Sequence, residues 1–124
     1  MVKIKRVYDP PSCDDGRRIL IDRLWPRGFK KNDAKIDDWV RDIAPSTELR
    51  KWFGHDPAKW DEFKKRFFSE LRRSQNVVES IVVSSLHGTV TLLFGAKEEH
   101  FNNAVALKEY IEDRIRHSER HKAA

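Results

Sequence analysis

Gly16-Arg17-Arg18-Ile19-Leu20-Ile21-Asp22-Arg23-Leu24-Trp25-Pro26-Arg27-Gly28 carries a short apolar run straight into an Asp, two Arg, a Trp, a Pro and a Gly. That order is expected where a buried strand ends and its polar residues emerge at a sheet edge. A strand over Arg18 to Ile21 and a charged turn after it therefore anchor the reading of the whole chain.

On the N-terminal side, residues Val2 to Tyr8 alternate apolar and basic at first, the pattern of a strand with one covered face. Asp9-Pro10-Pro11 ends it, and Asp14-Asp15-Gly16 makes a turn. The connection from Asp9 to Arg17 is shorter than the dozen or more residues of a helical crossover. The two strands are thus either an antiparallel pair with a long loop or parallel strands joined by an irregular segment.

On the C-terminal side, the apolar period lengthens. Ile36, Trp39, Val40 and Ile43 fall at i, i+3, i+4 and i+7 and predict an amphipathic helix ended by Pro45. Ser46 caps a short helix carrying Leu49, Trp52 and Phe53, which Gly54 stops. Asp56-Pro57 is an N-cap with proline at the first helical position, and Trp60, Phe63, Phe67 and Leu71 then recur along one face. Val77, Val78, Ile81 and Val82 predict a further helix, with Gly88 as a left-handed cap. Thr89 to Phe94 is the most strand-like run, suited to burial on both faces, and Gly95 breaks it. A last helix is expected from near Glu98, with Glu98 and Glu99 in its first turn, Arg114 and Arg116 in its last, and Ala104, Leu107, Ile111 and Ile115 on its buried side. Helices between and after short buried strands imply an α/β fold. The expectation is a small, mostly parallel sheet of about three strands packed with several helices, in one domain over residues 1–124 with a mobile basic tail from about residue 116.

Composition narrows the function. The chain has 124 residues, enough to bury a core without disulfide or metal staples. Its one cysteine, Cys13, excludes an intramolecular disulfide; there is no apolar run of the ~18 residues that span a bilayer and no signal-peptide pattern. A cytoplasmic protein without a membrane partner is expected. An excess of 25 Lys and Arg over 20 Asp and Glu favours an anionic small molecule or nucleic acid as partner.

In open α/β sheets, ligands bind outside the carboxyl ends of the strands. Here one end presents Asp22, Arg23, Trp25 and Arg27, and another presents Gly95, Lys97, Glu98, His100, Asn102 and Asn103. Arg23 and Arg27 offer planar donor forks for carboxylate or phosphate, and free N–H groups near Glu98 to Phe101 would add a second anion-attracting element. Asp22, desolvated at a strand end, is the first candidate for acid/base work and His100 the second. Asn102 and Asn103 either bind a ligand or cap a helix that starts later. The structural alternative pairs Asp22 with an arginine and uses Trp25 and Pro26 for packing. Cys13 lacks a local activating cation, and His117 and His121 lack a further metal ligand. No P-loop, dinucleotide, zinc or serine-nucleophile pattern occurs, so no cofactor or metal is expected.

Ile21-Asp22-Arg23-Leu24-Trp25-Pro26-Arg27-Gly28, Trp39, Ala44-Pro45-Ser46, Leu49-Arg50-Lys51-Trp52-Phe53, Leu92-Leu93-Phe94-Gly95-Ala96-Lys97 and Asn102-Asn103-Ala104 closely resemble the YeaO-like proteins. This is a domain-of-unknown-function family of small bacterial and archaeal cytoplasmic proteins. The resemblance runs from about residue 3 to residue 112 and implies an α/β fold without an established activity. Some members carry a transcriptional-regulator label, yet no helix-turn-helix with a basic recognition helix is legible here. Asp22, Arg23, Trp25, Pro26, Arg27, Lys97, Asn102 and Asn103 fall on the family's motifs. The family pattern has a His directly before the paired Asn and an Asp after the Lys; this chain has Phe101 and Glu98 there, with His100 one place earlier. On a helix one place is a rotation of about 100°.

The sequence thus points to a protein that binds a phosphate- or carboxylate-bearing small molecule between Asp22–Gly28 and Lys97–Asn103. Hydrolysis or transfer through Asp22 would be its chemistry if it is an enzyme. A nucleic-acid-binding module and a non-catalytic interaction protein are the alternatives.

Overall fold

The computed structural model describes residues 1–30 and 35–117 in full and the backbone of 118–123. Strands β1 (Val2–Arg6), β2 (Arg17–Leu20), β3 (Asp38–Trp39) and β4 (Val90–Phe94) form one sheet in the order β1-β4-β2-β3. Every pairing is parallel. β4 lies between β1 and β2, which settles the awkward first connection: the two strands run the same way but are not neighbours. Residues 7–16 suffice for the return because an extended chain covers ~3.3 Å per residue.

That return is pinned rather than helical. A 3-10 turn at Cys13–Asp15 is closed by a capping box, in which Ser12 Oγ accepts from the Asp14 N–H and the Ser12 N–H donates to Asp15. The Asp15 carboxylate then meets the Arg18 guanidinium and the Lys5 ammonium, and Thr91 Oγ1 donates to its carbonyl at 2.6 Å. Gly16 follows with φ +63°, and a Cβ there would lie 2.1 Å from the Thr89 carbonyl oxygen. Only glycine fits that corner.

Four α-helices are found among the described residues: α1 (Thr47–Phe53), α2 (Trp60–Leu71), α3 (Gln75–His87) and α4 (Asn103–Ala123). They cover one face of the sheet. Ile19, Val90, Leu92 and Phe94 from the strands, with Ile21 just beyond β2, pack there against Phe53, Phe63, Phe67, Leu71, Ile81, Leu107 and Ile111. Leu20 and Leu93 point to the opposite face, as strand alternation requires, and meet Val7, Trp25, Phe29, Ile36 and Trp39. β4 is buried along its whole length, as its apolar run predicts. Ser46, Gly54 and Asp56-Pro57 act at the helix ends as read, with Gly54 in the left-handed conformation.

Three expectations are corrected. No helix forms over residues 36–43; the chain makes β3 and a 3-10 turn at Arg41–Ile43 instead. The four apolar residues serve two cores: Ile36 and Trp39 join the smaller one, while Val40 and Ile43 join the larger. The Asp37 and Val40 N–H groups donate to the Arg18 and Leu20 carbonyls at 2.9 Å, and those sheet bonds outweigh the helical spacing. Gly88 is extended, with φ 174°, and is no left-handed cap.

The last helix starts at Asn103, not near Glu98. Ahead of it the Glu98 carboxylate accepts from the His100 and Phe101 N–H groups, each at 3.1 Å, and these bonds hold its pKa below the ordinary glutamate value. Asn102 Oδ1 then caps the helix by accepting from the Val105 N–H at 3.0 Å. The helix runs on to Ala123, so Arg114 and Arg116 are not in its last turn. The tail expected to be mobile continues this backbone; its side chains from residue 118, His121 among them, lie outside the described residues. Among the described residues no helix is long and apolar enough to cross a membrane.

Candidate functional site

Because β2 and β4 are parallel, their carboxyl ends open at one edge of the sheet. Asp22 leaves β2 there and ties four segments together. Its Oδ2 accepts from the Gly95 N–H just beyond β4 at 2.7 Å, and its Oδ1 accepts from Asn103 Nδ2 in the first turn of α4 at 3.3 Å. Its carbonyl accepts from Trp39 Nε1 of β3 at 2.8 Å. Burial pushes the Asp22 pKa above its ordinary value; the Gly95 and Asn103 hydrogen bonds and the charges of Arg50 and His55 pull the other way without cancelling it.

Beside this clasp lies a cavity of about 240 Å³. Asp22, Arg23 and Leu24 form one side, Ala44 and Pro45 the next, and α1 contributes Arg50 and Phe53. His55, Phe63, Ala96 and Asn103 complete the lining. Arg23 Nη2 reaches the Ala44 and Pro45 carbonyls at 3.4 and 3.2 Å, while its Nε is out of solvent and donates to nothing among the described residues. Neither Arg23 nor Arg50 forms an ion pair among the described residues. His55 Nδ1 lies 2.9 Å from the Phe101 carbonyl oxygen, and the residue has φ 56°, sparsely populated for anything but glycine. The cavity therefore offers one carboxylate against two guanidiniums and an imidazole, over an apolar lining.

Of the residues singled out from sequence, Asp22, Arg23 and Asn103 come together here. Trp25 lies on the other face of the sheet, edge-on to Trp39 with ring centroids 5.3 Å apart, and donates to the Phe29 carbonyl. Arg27 is exposed in the turn, where its carbonyl accepts from Tyr8. Lys97 and His100 are exposed and do not line the cavity. Asn102, with no exposed surface, is a helix cap. The N–H groups of His100 and Phe101 already serve Glu98, so they are not a free anion-attracting element. Among the described residues Asp22 forms no ion pair with an arginine, and a buried ion pair joins Asp15 and Arg18 instead.

Arg50 and His55 are not among the site residues expected from sequence. Arg50 stands in the Leu49–Phe53 motif of the family resemblance, on a helix whose spacing speaks only for its apolar residues, and His55 follows a helix-stopping glycine, a place that usually signals only a turn. Among the described residues no three His, Cys, Asp or Glu side chains are grouped to hold a metal ion.

The family model described as "Inactive DUF488-N3 subclade" matches residues 1–124. The chain belongs to that subclade. This YeaO-like chain is 39% identical over 110 residues to the uncharacterized protein YeaO of Escherichia coli (strain K12), covering 89% of this chain and 96% of that protein. It is also 45% identical over 78 residues to the uncharacterized protein Rv3073c of Mycobacterium tuberculosis (strain ATCC 25618 / H37Rv), covering 63% of this chain and 66% of the relative. No solved structure matches the YeaO-like chain at a significant level.

Proposed function

We propose that this protein binds a small carboxylate- or phosphate-bearing molecule in the cavity between Arg23, Arg50, His55 and Asn103. The observation that carries the reading is Arg23: a half-buried guanidinium without a counter-ion among the described residues, on the wall of a cavity that Arg50 also lines. A charge drawn partly out of water without a counter-ion calls for an anionic partner. Arg50 adds a second charge on the facing helix, and together they outweigh Asp22.

Binding without turnover is the form of the reading supported best. Both oxygens of Asp22 already accept hydrogen bonds, His100 is remote from the cavity lining, and the subclade is described as inactive. We place the protein in the cytoplasm, where a reducing environment suits the exposed free thiol of Cys13.

Thermal shift and amide NMR titrations with acetate, benzoate and inorganic phosphate test the site. At least one anion should raise the melting temperature and move the amide signals of Leu24, Ala96 and Asn103. Arg23→Gln and Arg50→Gln should each weaken that anion at least tenfold, the scale of a charge-assisted hydrogen bond of about 1.5–3 kcal/mol. Unchanged affinity in both variants would contradict the proposal.

A further inference from the structure

Resting on the anion-binding reading, we infer that the ligand of this cavity is a monocarboxylate with an apolar, ring-sized body rather than a phosphate compound. Phosphate sites are built from clusters of free backbone N–H groups, often at helix starts. Four of the N–H groups near this cavity are already taken: Val105 N–H by Asn102, His100 and Phe101 N–H by Glu98, and Leu49 N–H by Ser46. The side-chain donors on the wall are two guanidiniums, one of them already turned in part to the Ala44 and Pro45 carbonyls, with the His55 imidazole and the Asn103 amide beside them.

The charge on the wall argues the same way. Asp22 stands in the cavity, and its repulsion of a dianion is about twice that of a monoanion at equal distance. Two guanidiniums against one carboxylate leave room for a single negative charge.

Apart from His55 and Asn103, the rest of the lining is mostly hydrocarbon. Phe53, Phe63 and Ala96 form apolar wall, and Leu24 lines the same cavity while remaining 66% exposed. An exposed leucine beside arginines that form no ion pair among the described residues is covered when an amphipathic molecule lies with its charge on the arginines and its body on the leucine. Size agrees: an apolar cavity of about 150 Å³ holds benzene, and about 240 Å³ leaves room for a carboxylate as well.

Four probes decide it by NMR titration: phenylacetate, acetate, inorganic phosphate and benzyl alcohol. Phenylacetate should bind at least tenfold tighter than each of the others. Leu24→Ser, at an exposed position that leaves the fold intact, should remove most of its advantage over acetate, and Arg50→Gln should weaken both carboxylates. Phosphate binding as tightly as phenylacetate, or acetate doing so, overturns this inference and leaves the anion site standing. Benzyl alcohol matching phenylacetate, or no probe moving the cavity amides, overturns the anion-binding reading itself.

Discussion

At the end of β2, the Asp22 side chain leaves bulk water and holds Gly95 and Asn103 in place. Because burial raises its folded pKa, the stability it contributes is complete below the ordinary carboxyl value of 3.8 and is lost as pH rises through the folded value. Asp22→Asn keeps an oxygen for the Gly95 N–H and removes the buried charge, so urea melts at neutral pH should place it within about 1 kcal/mol of the parent. Asp22→Ala orphans that N–H and should lose about 1–3 kcal/mol. Asp15 has the opposite sign. Burial pushes its pKa up, but hydrogen bonds from Ser12, Arg18 and Lys5 and the Lys5 charge together hold it below 3.8. Its stabilisation is present above that value and disappears as pH falls through the folded pKa. Asp15→Asn should therefore cost about 3 kcal/mol or more at neutral pH, the effect of breaking a buried pair, and the gap from the parent should shrink below about pH 4 in acid titrations of the melting temperature.

Elements were legible where one residue settles the backbone. Ser46, Gly54 and Asp56-Pro57 bound their helices by local hydrogen bonding, and β4 was evident because no surface helix is apolar all round. Residues 36–43 misled for the converse reason: helical spacing of Ile36, Trp39, Val40 and Ile43 also fits a segment that crosses the sheet edge and feeds both cores. The start of α4 moved to Asn103 because Glu98 could serve either in a first helical turn or as an acceptor for the turn before it, and its carboxylate takes the second role. Gly16 shows how tightly one element can depend on a single position. Gly16→Ala brings a methyl group to 2.1 Å from the Thr89 carbonyl oxygen at a positive φ. It should lower stability by more than about 2 kcal/mol in chemical denaturation, well beyond the usual glycine-to-alanine range of about 1 kcal/mol.

Across the whole molecule, the parallel order β1-β4-β2-β3 brings residue 22 beside residues 95 and 103, and the helical layer adds Arg50 and His55 to the same edge. Asp22, Arg23 and Asn103 could be read from sequence because they follow directly on strand ends or open a helix. Arg50 and His55 could not, since their place depends on how α1 packs over the sheet, which no local pattern encodes. The same packing takes Trp25 to the opposite face and leaves Lys97 and His100 outside the cavity. An anion held by Arg23 and Arg50 is the central claim. It is tested most directly by a crystal of the protein grown with 4-bromobenzoate and located by bromine anomalous scattering. The account predicts a peak in the cavity beside Leu24 and Phe53, with the carboxylate within hydrogen-bonding distance of Arg23 and Arg50; a fully loaded crystal with bromine only at other sites would contradict it.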